Sequence, residues 1–135
     1  MNIQNITYSN LEYINKWYEK RELTTPSNII RSNTGYMVVN NDGKAICAMW
    51  IYYTNSNIAI FEELISDPES SRKERSEGID MLLEFACDLI KLKGFKVVMA
   101  FSENTALMSR LKRHKFDLVS DKILQYVKIV DGGSN

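Results

Sequence analysis

The chain has 135 residues, enough for one compact domain with a single core. Hydrophobic residues make up 44% and charged residues 25%, a composition typical of a folded, soluble domain. Lys+Arg and Asp+Glu number 17 each, so the formal net charge is zero. No overall field therefore steers the chain toward nucleic acid or an anionic membrane. The sequence has no long apolar run and no signal-peptide pattern, which predicts a cytoplasmic protein without a membrane segment.

The two cysteines, Cys47 and Cys87, each lie in an apolar run. Their spacing is not that of metal ligands. We expect reduced thiols in the core of an intracellular protein, and no metal site.

The first half of the chain predicts one helix and four strands. Residues 1–7 predict a short edge strand, and residues 11–21 a helix capped by Ser9 or Asn10. Three further strands follow, joined by polar turns, over residues 36–40, 44–53 and 58–66. The last of these is apolar on both alternating faces, which is typical of a central strand covered on both sides.

The second half begins with a polar loop over residues 69–75, followed by a long amphipathic helix that ends at Gly94. Residues 95–101 predict a strand parallel to the one before the helix, because a helical crossover separates them. Another helix, capped by Ser102 or Asn104, extends to about residue 115. Two last strands are expected over residues 116–120 and 122–130. We predict one domain over residues 1–130 and a flexible tail over residues 131–135.

This order of elements resembles the GNAT (Gcn5-related N-acetyltransferase) superfamily over nearly the whole chain. Residues 62–69, Glu-Glu-Leu-Ile-Ser-Asp-Pro-Glu, are similar to its fourth strand and the start of its acetyl-CoA loop. Residues 75–80, Arg-Ser-Glu-Gly-Ile-Asp, lie where the family carries Arg/Gln-x-x-Gly-x-Gly/Ala. Residues 104–116 resemble its later segment, which begins with Asn and ends in Tyr-x-Lys-x-Gly-Phe. The resemblance implies an α/β fold with a mixed, mostly antiparallel central sheet flanked by helices.

The resemblance also implies an acyl-CoA-dependent N-acyltransferase that moves an acetyl group from acetyl-CoA to an unidentified amine. The positions that match the family's cofactor-binding segments are Ile65, Arg72, Arg75, Gly78, Ile79 and Asn104. Arg72 and Arg75, with Lys73, would bind the pyrophosphate of CoA, or else form a solvated first helical turn. Asn104 would bind the pantetheine arm, or only cap its helix.

Acetyl transfer requires a base to take a proton from the amine. Glu62 and Glu63 are the candidates, because they interrupt an otherwise apolar strand where burial raises a carboxyl pKa. Regular strand alternation would place them on opposite faces. The alternative is that one pairs with a basic residue and the other lies at a strand end. The nearby aromatic residues either line an acceptor cleft or belong to the core: Trp17, Trp50, Tyr52 and Tyr53.

The basic run at residues 110–115, which contains the only histidine, His114, predicts a solvated helix end. Contact of this run with the 3′-phosphate of CoA, with nucleic acid or with an acidic partner is the other interpretation.

Four positions depart from the family pattern. Ser76 and Lys115 replace glycines, Asp80 places a carboxylate in the cofactor motif, and Leu111 replaces the tyrosine that many members use as general acid. These departures lead to a second hypothesis, a catalytically degenerate GNAT-fold module. Small divergent members of this kind occur in bacteriophages, which would make other virion proteins its partners. Pairing of the last strand between subunits would give a homo-oligomer.

Overall fold

The computed structural model describes residues 1–27, 31–101 and 105–120, apart from the side chains of 105 and 106, together with the isolated positions 122, 126, 128 and 130. The chain divides into two compact units, residues 1–101 and 102–135. The single domain expected over residues 1–130 stays a prediction. In the part of the chain that the structure describes, no helix is both long and apolar enough to cross a bilayer.

The first unit contains a sheet whose five strands lie side by side in chain order. The first three pairings are antiparallel and the last is parallel, which confirms the predicted mixed, mostly antiparallel sheet. The strands are β1 (Asn2–Asn5), β2 (Gly35–Val39), β3 (Ala45–Tyr53), β4 (Ile58–Ser66) and β5 (Val97–Ala100).

Two helices belong to this unit, α1 (Tyr8–Lys20) after β1 and α2 (Arg72–Leu92) between β4 and β5. The predicted start of α1 is wrong by three residues, because Thr7 is its N-cap. The backbone N–H of Thr7 donates to Asn10 Oδ1 at 2.8 Å. Asn10 therefore lies in the first turn, and its side chain bonds back to the N-cap residue.

The helices cover opposite faces of the sheet. On one face, α1 buries Ile14, Trp17 and Tyr18 against strand residues that include Trp50 and Ile65. The other face packs against α2, whose buried side chains are Leu82, Leu83, Ala86 and Ile90. Apolar side chains on alternate strand positions supply the rest of this second core, and they include Val38, Met49, Ile51 and Phe61.

The second unit contains α3 (Thr105–Arg113). The strand expected over residues 116–120 is wrong: these residues are described and form no strand. A strand requires a paired neighbour, and the described part of this unit contains none. The strand expected over residues 122–130 and the tail over residues 131–135 lie largely outside the described residues, as do Ser102 and Asn104.

Candidate functional site

The edge of β4 becomes free halfway along the strand. Its parallel pairing with β5 runs from Ile58 to Phe61, opposite Ala100, and stops there. The remaining residues, 62–66, continue to pair with β3 on the other side. Within the described residues, no strand pairs with this second half on the side that β5 leaves, although the Tyr18 hydroxyl and Arg21 Nε donate to the carbonyl oxygens of Glu63 and Ser66. Glu62 is the first residue of the free edge.

A β-bulge begins at the same point. Trp50 opposes Glu62 and Ala48 opposes Ile65, so two steps along β3 match three along β4. Glu63 has a φ of +62°, a left-handed conformation that is uncommon for glutamate. The bulge interrupts the alternation from which we placed the two carboxylates on opposite faces.

Glu63 is held by contacts to both its backbone and its side chain. The hydroxyl of Tyr18, on α1, donates to the carbonyl oxygen of Glu63. Arg31 Nε lies 3.8 Å from Glu63 Oε2, an ion pair too long to be a hydrogen bond. Burial raises the pKa of Glu63, while the Tyr52 hydroxyl and the charge of Arg31 oppose that rise. This confirms that one of the two glutamates pairs with a basic residue.

Glu62 differs from its neighbour because its carboxylate makes no ion pair or hydrogen bond with any described residue. It is half-buried. Burial, followed by the negative charge of Glu63, raises its pKa above the ordinary value for glutamate. Of the two predicted bases, Glu62 is therefore the carboxylate that is free to accept a proton.

The aromatic residues near the site divide between the two interpretations. Trp17 and Trp50 are core residues, 1% and 2% exposed. Tyr52 lies beside Glu63, and its pKa is raised mainly by burial and then by that carboxylate. Its hydroxyl is buried and makes no hydrogen bond with the described residues.

The predicted loop after β4 is shorter than expected, because α2 already begins at Arg72. Ser71 is the N-cap, and its hydroxyl accepts from the N–H of Glu74 at 3.1 Å. The sequence contained the signal, since Ser-x-x-Glu at residues 71–74 is a capping pattern. Arg72 and Lys73 thus lie exposed in the first turn of a helix, where backbone N–H groups have no helical acceptor.

Arg75, in contrast, bonds to the loop itself. Its Nη1 donates to the carbonyl oxygen of Ser70 and to that of Pro68 at 3.4 Å. The Ser70 hydroxyl is buried without a hydrogen-bond partner among the described residues. The loop therefore has one unbonded hydroxyl close to the start of α2.

Asp67 anchors the beginning of this loop and is 1% exposed. Its carboxylate accepts from the N–H of Glu69 at 2.9 Å and from the Tyr13 hydroxyl at 3.2 Å, and it pairs with Lys44 at 3.4 Å. Burial raises its pKa, but the Glu69 N–H and then the Lys44 charge outweigh burial, so the pKa lies below its ordinary value.

Gly78 lies in the second turn of α2, where the helix touches the sheet. A Cβ atom there would lie 2.9 Å from Cys47 Sγ and 3.5 Å from Ile46 Cγ2. The structure thus gives Gly78 a packing role. Asp80 lies eight residues beyond the start of α2, about 12 Å along the axis, too far to repel an anion bound at the first turn.

The other predicted cofactor residues are scattered. Ile65 is buried in the core beneath α1, and Ile79 is half-buried on α2. Asn104 lies outside the described residues. Contact of these residues, and of Gly78, with a cofactor stays a prediction. Leu111, in α3, is a half-buried leucine that has no proton to donate.

Other features of the described residues bear less on chemistry. Cys47 and Cys87 are reduced thiols that form no disulfide, as predicted. The described residues contain no group of His, Cys, Asp and Glu side chains arranged to hold a metal ion. A pocket of about 450 Å³ lies between α1 and the β2–β3 turn, lined in part by Tyr13 and Lys44. It excludes Glu62 and Glu63, so we place the site by its chemistry and not by this cavity.

Neither a family model nor a curated protein sequence matches the chain. Solved structures match at low identity. A GNAT-family acetyltransferase from Streptococcus pneumoniae has a TM-score of 0.64 at 15% identity, over 96% of this chain and 98% of that one. A transcriptional regulator from Bacillus halodurans has a TM-score of 0.69 at 9% identity, over 93% and 99%. Rv2747 from Mycobacterium tuberculosis, solved with CoA and NLQ, has a TM-score of 0.60 at 15% identity, over 83% and 70%. The predicted GNAT acyltransferase fold is confirmed.

Proposed function

We propose that this protein is an acyl-CoA-dependent N-acyltransferase that transfers an acetyl group from acetyl-CoA to an amine, with Glu62 as general base. The observation that carries the proposal is the coincidence of two features on β4. The strand edge becomes free at Glu62, and the same residue is a half-buried carboxylate without a described partner.

A free strand edge suits the pantetheine arm of CoA. That arm is extended and contains two amide groups, which can pair with backbone N–H and C=O groups as an added strand does. Bound along residues 62–66, it would use the backbone groups other than the Glu63 and Ser66 carbonyl oxygens, which already accept from Tyr18 and Arg21, and would bring the thioester next to Glu62. Rv2747, which has the same fold, was solved with CoA.

The start of α2 suits the phosphate end of the same ligand. Arg72 and Lys73 add two exposed positive charges to a helix N-terminus, whose first backbone N–H groups have no helical acceptor, although that of Glu74 is bonded to Ser71. The buried, unbonded hydroxyl of Ser70 is a further donor in the adjoining loop. Asp80 lies about 12 Å along the helix axis, so its carboxylate does not obstruct this end.

The chemistry required of the protein is small. Acetyl-CoA supplies the activated acyl group. Glu62 takes the proton that the amine loses as its nitrogen bonds to the acetyl carbon and the carbon–sulfur bond breaks. A carboxylate with a raised pKa is a stronger base than an exposed glutamate, which improves this transfer. Because Leu111 cannot donate a proton, the sulfur departs as a thiolate or takes its proton from water.

Isothermal titration calorimetry with acetyl-CoA tests the binding half of the proposal. Reversing both charges, Arg72→Glu with Lys73→Glu, should weaken binding by about tenfold or more, because charge-assisted contacts to phosphate are lost. Lys16→Glu, an exposed reversal on α1, is the control and should leave the affinity unchanged. Absence of heat with the wild-type protein would remove the enzyme proposal.

Release of CoA from acetyl-CoA, followed with a thiol reagent, tests the chemical half. The acceptors should include a polyamine, an aminoglycoside and a lysine peptide. With an acceptor that reacts, Glu62→Gln should lower kcat by about 100- to 10,000-fold, the usual contribution of a general base. Unchanged kcat would show that the base is elsewhere.

A second candidate is a GNAT-fold module that has lost catalysis, and Leu111 in place of the family's tyrosine favours it. In its most specific form this module is phage-encoded and contacts other virion proteins. Mass spectrometry of purified particles tests that form, and absence of the chain from them would exclude it. The transcriptional regulator from Bacillus halodurans indicates that proteins with this fold carry more than one kind of assigned role.

A further inference from the structure

Arg31 is a buried cation on the α1 face of the sheet, 7% exposed. Its guanidinium carbon lies 4.2 Å from the centroid of the Trp50 ring, and its Nη1 donates to Asn15 Oδ1, on α1, at 3.0 Å. Its backbone N–H donates to the carbonyl oxygen of Ser27 at 2.9 Å. The first two contacts hold the guanidinium and the third fixes the backbone of Arg31, while Nε and Nη2 are buried without a hydrogen-bond partner among the described residues.

Trp50 can lie beneath Arg31 because its neighbour across the sheet is Gly35. A Cβ on Gly35 would be 2.5 Å from Trp50 Nε1 and 2.8 Å from Cδ1. The indole therefore uses the space that a side chain would fill. Gly35 thus leaves room for the Trp50 ring. The Arg31 guanidinium stacks on that ring and faces the carboxylate of Glu63.

Glu63 is joined to this stack in the strained part of β4. A left-handed φ is unfavourable for a residue such as glutamate, so surrounding contacts must hold it. Tyr18 bonds its carbonyl oxygen, and Arg31 faces its carboxylate. Arg31 thus helps to hold the bulge in place and compensates the negative charge of the Glu63 carboxylate.

The charge of Glu63 acts on the next carboxylate along the chain. Burial and then the Glu63 charge raise the pKa of Glu62. The other described titratable groups that face the pair are Tyr18 and Tyr52, whose pKa values are both raised, mainly by burial, so their hydroxyls stay neutral. Arg31 faces Glu63 and not Glu62, so the two carboxylates have different environments.

We propose that Arg31 is the positioning residue of the acyl-transfer site: its stack on Trp50 and its ion pair with Glu63 hold the β4 bulge and engage the Glu63 carboxylate, which leaves Glu62 as the proton acceptor. The inference rests on the proposed function and adds to it a residue far away in sequence. Arginine suits this position because its planar cation stacks on an indole and does not lose its charge.

Carbon-13 NMR titration of the glutamate carboxyls measures the charge arrangement without a substrate. Glu63→Gln should lower the pKa of Glu62 toward its ordinary value, because the neighbouring charge is gone. Arg31→Met should raise the pKa of Glu63. Asn15→Ala, which removes the bond to Nη1 but keeps the cation, is the matched control and should leave both pKa values in place. If Glu62 does not shift in Glu63→Gln, the proposal is overturned.

The kinetic readout follows CoA release with an acceptor that reacts. In Glu63→Gln, the acid limb of the kcat/KM profile should move to lower pH, whereas a purely structural role would lower the rate without moving the limb. Arg31→Lys keeps a positive charge but loses the planar stack on Trp50. The acid limb of its kcat/KM profile should lie at the same pH as in the wild type, while kcat is reduced. A limb that stays in place in Glu63→Gln contradicts the proposal.

Binding of acetyl-CoA and the coupling between Arg31, Glu63 and Glu62 can be lost independently of each other. If the wild-type protein binds no acetyl-CoA, the proposed function is lost, while the NMR titrations still decide whether Arg31 and Glu63 set the charge of Glu62. If acetyl-CoA binds and the titrations show no coupling, only the role of Arg31 is lost. Should Arg31→Met fail to fold, Glu63→Gln tests the same pair from its other side.

Discussion

The two faces of the sheet in the first unit are packed in different ways. The face under α2 is filled by apolar side chains, and it is tight enough that Gly78 touches Cys47 without room for a Cβ. The face under α1 has an apolar centre but, among the described residues, also buries Arg31 and Asp67 and partly buries Glu63. A domain can fold on the first kind of packing alone. Burying charged groups, as under α1, costs desolvation free energy and is not needed for folding. We propose that these groups are there for catalysis.

The largest effect is expected where a charge loses its partner on the α1 face. Arg31→Met leaves Glu63 buried without compensation and should lower the free energy of unfolding by about 3–5 kcal/mol at neutral pH. Because the folded pKa of Glu63 is raised, the loss should be small below the unfolded glutamate pKa of about 4.3 and grow as pH rises. Denaturant unfolding across pH measures it.

The double variant Arg31→Met with Glu63→Gln supplies the control for that prediction. It removes the carboxylate that can ionise, so most of the lost stability should return and the pH dependence should disappear. A double variant as unstable as Arg31→Met would mean that stacking on Trp50, and not charge, is what Arg31 contributes to stability.

A cavity on the α2 face should behave differently. Leu83 is fully buried, and Leu83→Ala should cost about 2–5 kcal/mol through lost transfer energy and the cavity that remains. No titratable group is involved, so we expect the cost to be the same across the mild pH range. Urea unfolding at several pH values checks this, and a strong pH dependence would erase the contrast between the two faces.

The contrast also explains how much the sequence could predict. Apolar patterning is local: the apolar run in residues 44–53 and the helical stripe after Gly78 each indicate their own element. The predicted order through α3 is therefore confirmed. Helix ends were less accurate, although Thr7 and Ser71 have polar partners three residues later that indicate caps.

The polar site could be predicted only in part. Two glutamates in an apolar strand indicated Glu62 and Glu63. Arg31 had no such signal, because it lies in an aperiodic stretch 32 residues before its partner and only folding brings the two together. The bulge was also hidden, since positive φ is expected of glycine or asparagine and not of glutamate.

A loss of stability of intermediate size is expected for Asp67, on the α1 face. Asp67→Asn weakens an acceptor of two hydrogen bonds and removes an ion pair, and should cost about 1–3 kcal/mol at neutral pH. Its folded pKa is lowered, so this stability is present above the unfolded pKa of about 3.9 and is lost as pH falls through the folded value. Glu69→Gln, which breaks only an exposed pair with Lys20, should cost about 0–1 kcal/mol. Equal losses would show that burial of Asp67 is unimportant.

The smallest expected effect decides what Gly78 does. Gly78→Ala forces a Cβ to 2.9 Å from Cys47 Sγ. The overpacking should cost about 1–3 kcal/mol, partly offset by about 1 kcal/mol of helix propensity. In a Cys47→Ala background the space exists, so the same substitution should become neutral or stabilising. Denaturant unfolding of the four proteins in the cycle measures this coupling.

The same four proteins distinguish packing from cofactor binding at Gly78. If the glycine serves only the contact between α2 and β3, the double variant should bind acetyl-CoA as tightly as Cys47→Ala alone. If instead a cofactor must approach the backbone at Gly78, affinity should fall in both alanine variants, even where stability returns. We expect the first outcome, because the Cβ of residue 78 would point at the sheet, whereas the proposed phosphate site is at Arg72 and Lys73, about 9 Å along the helix.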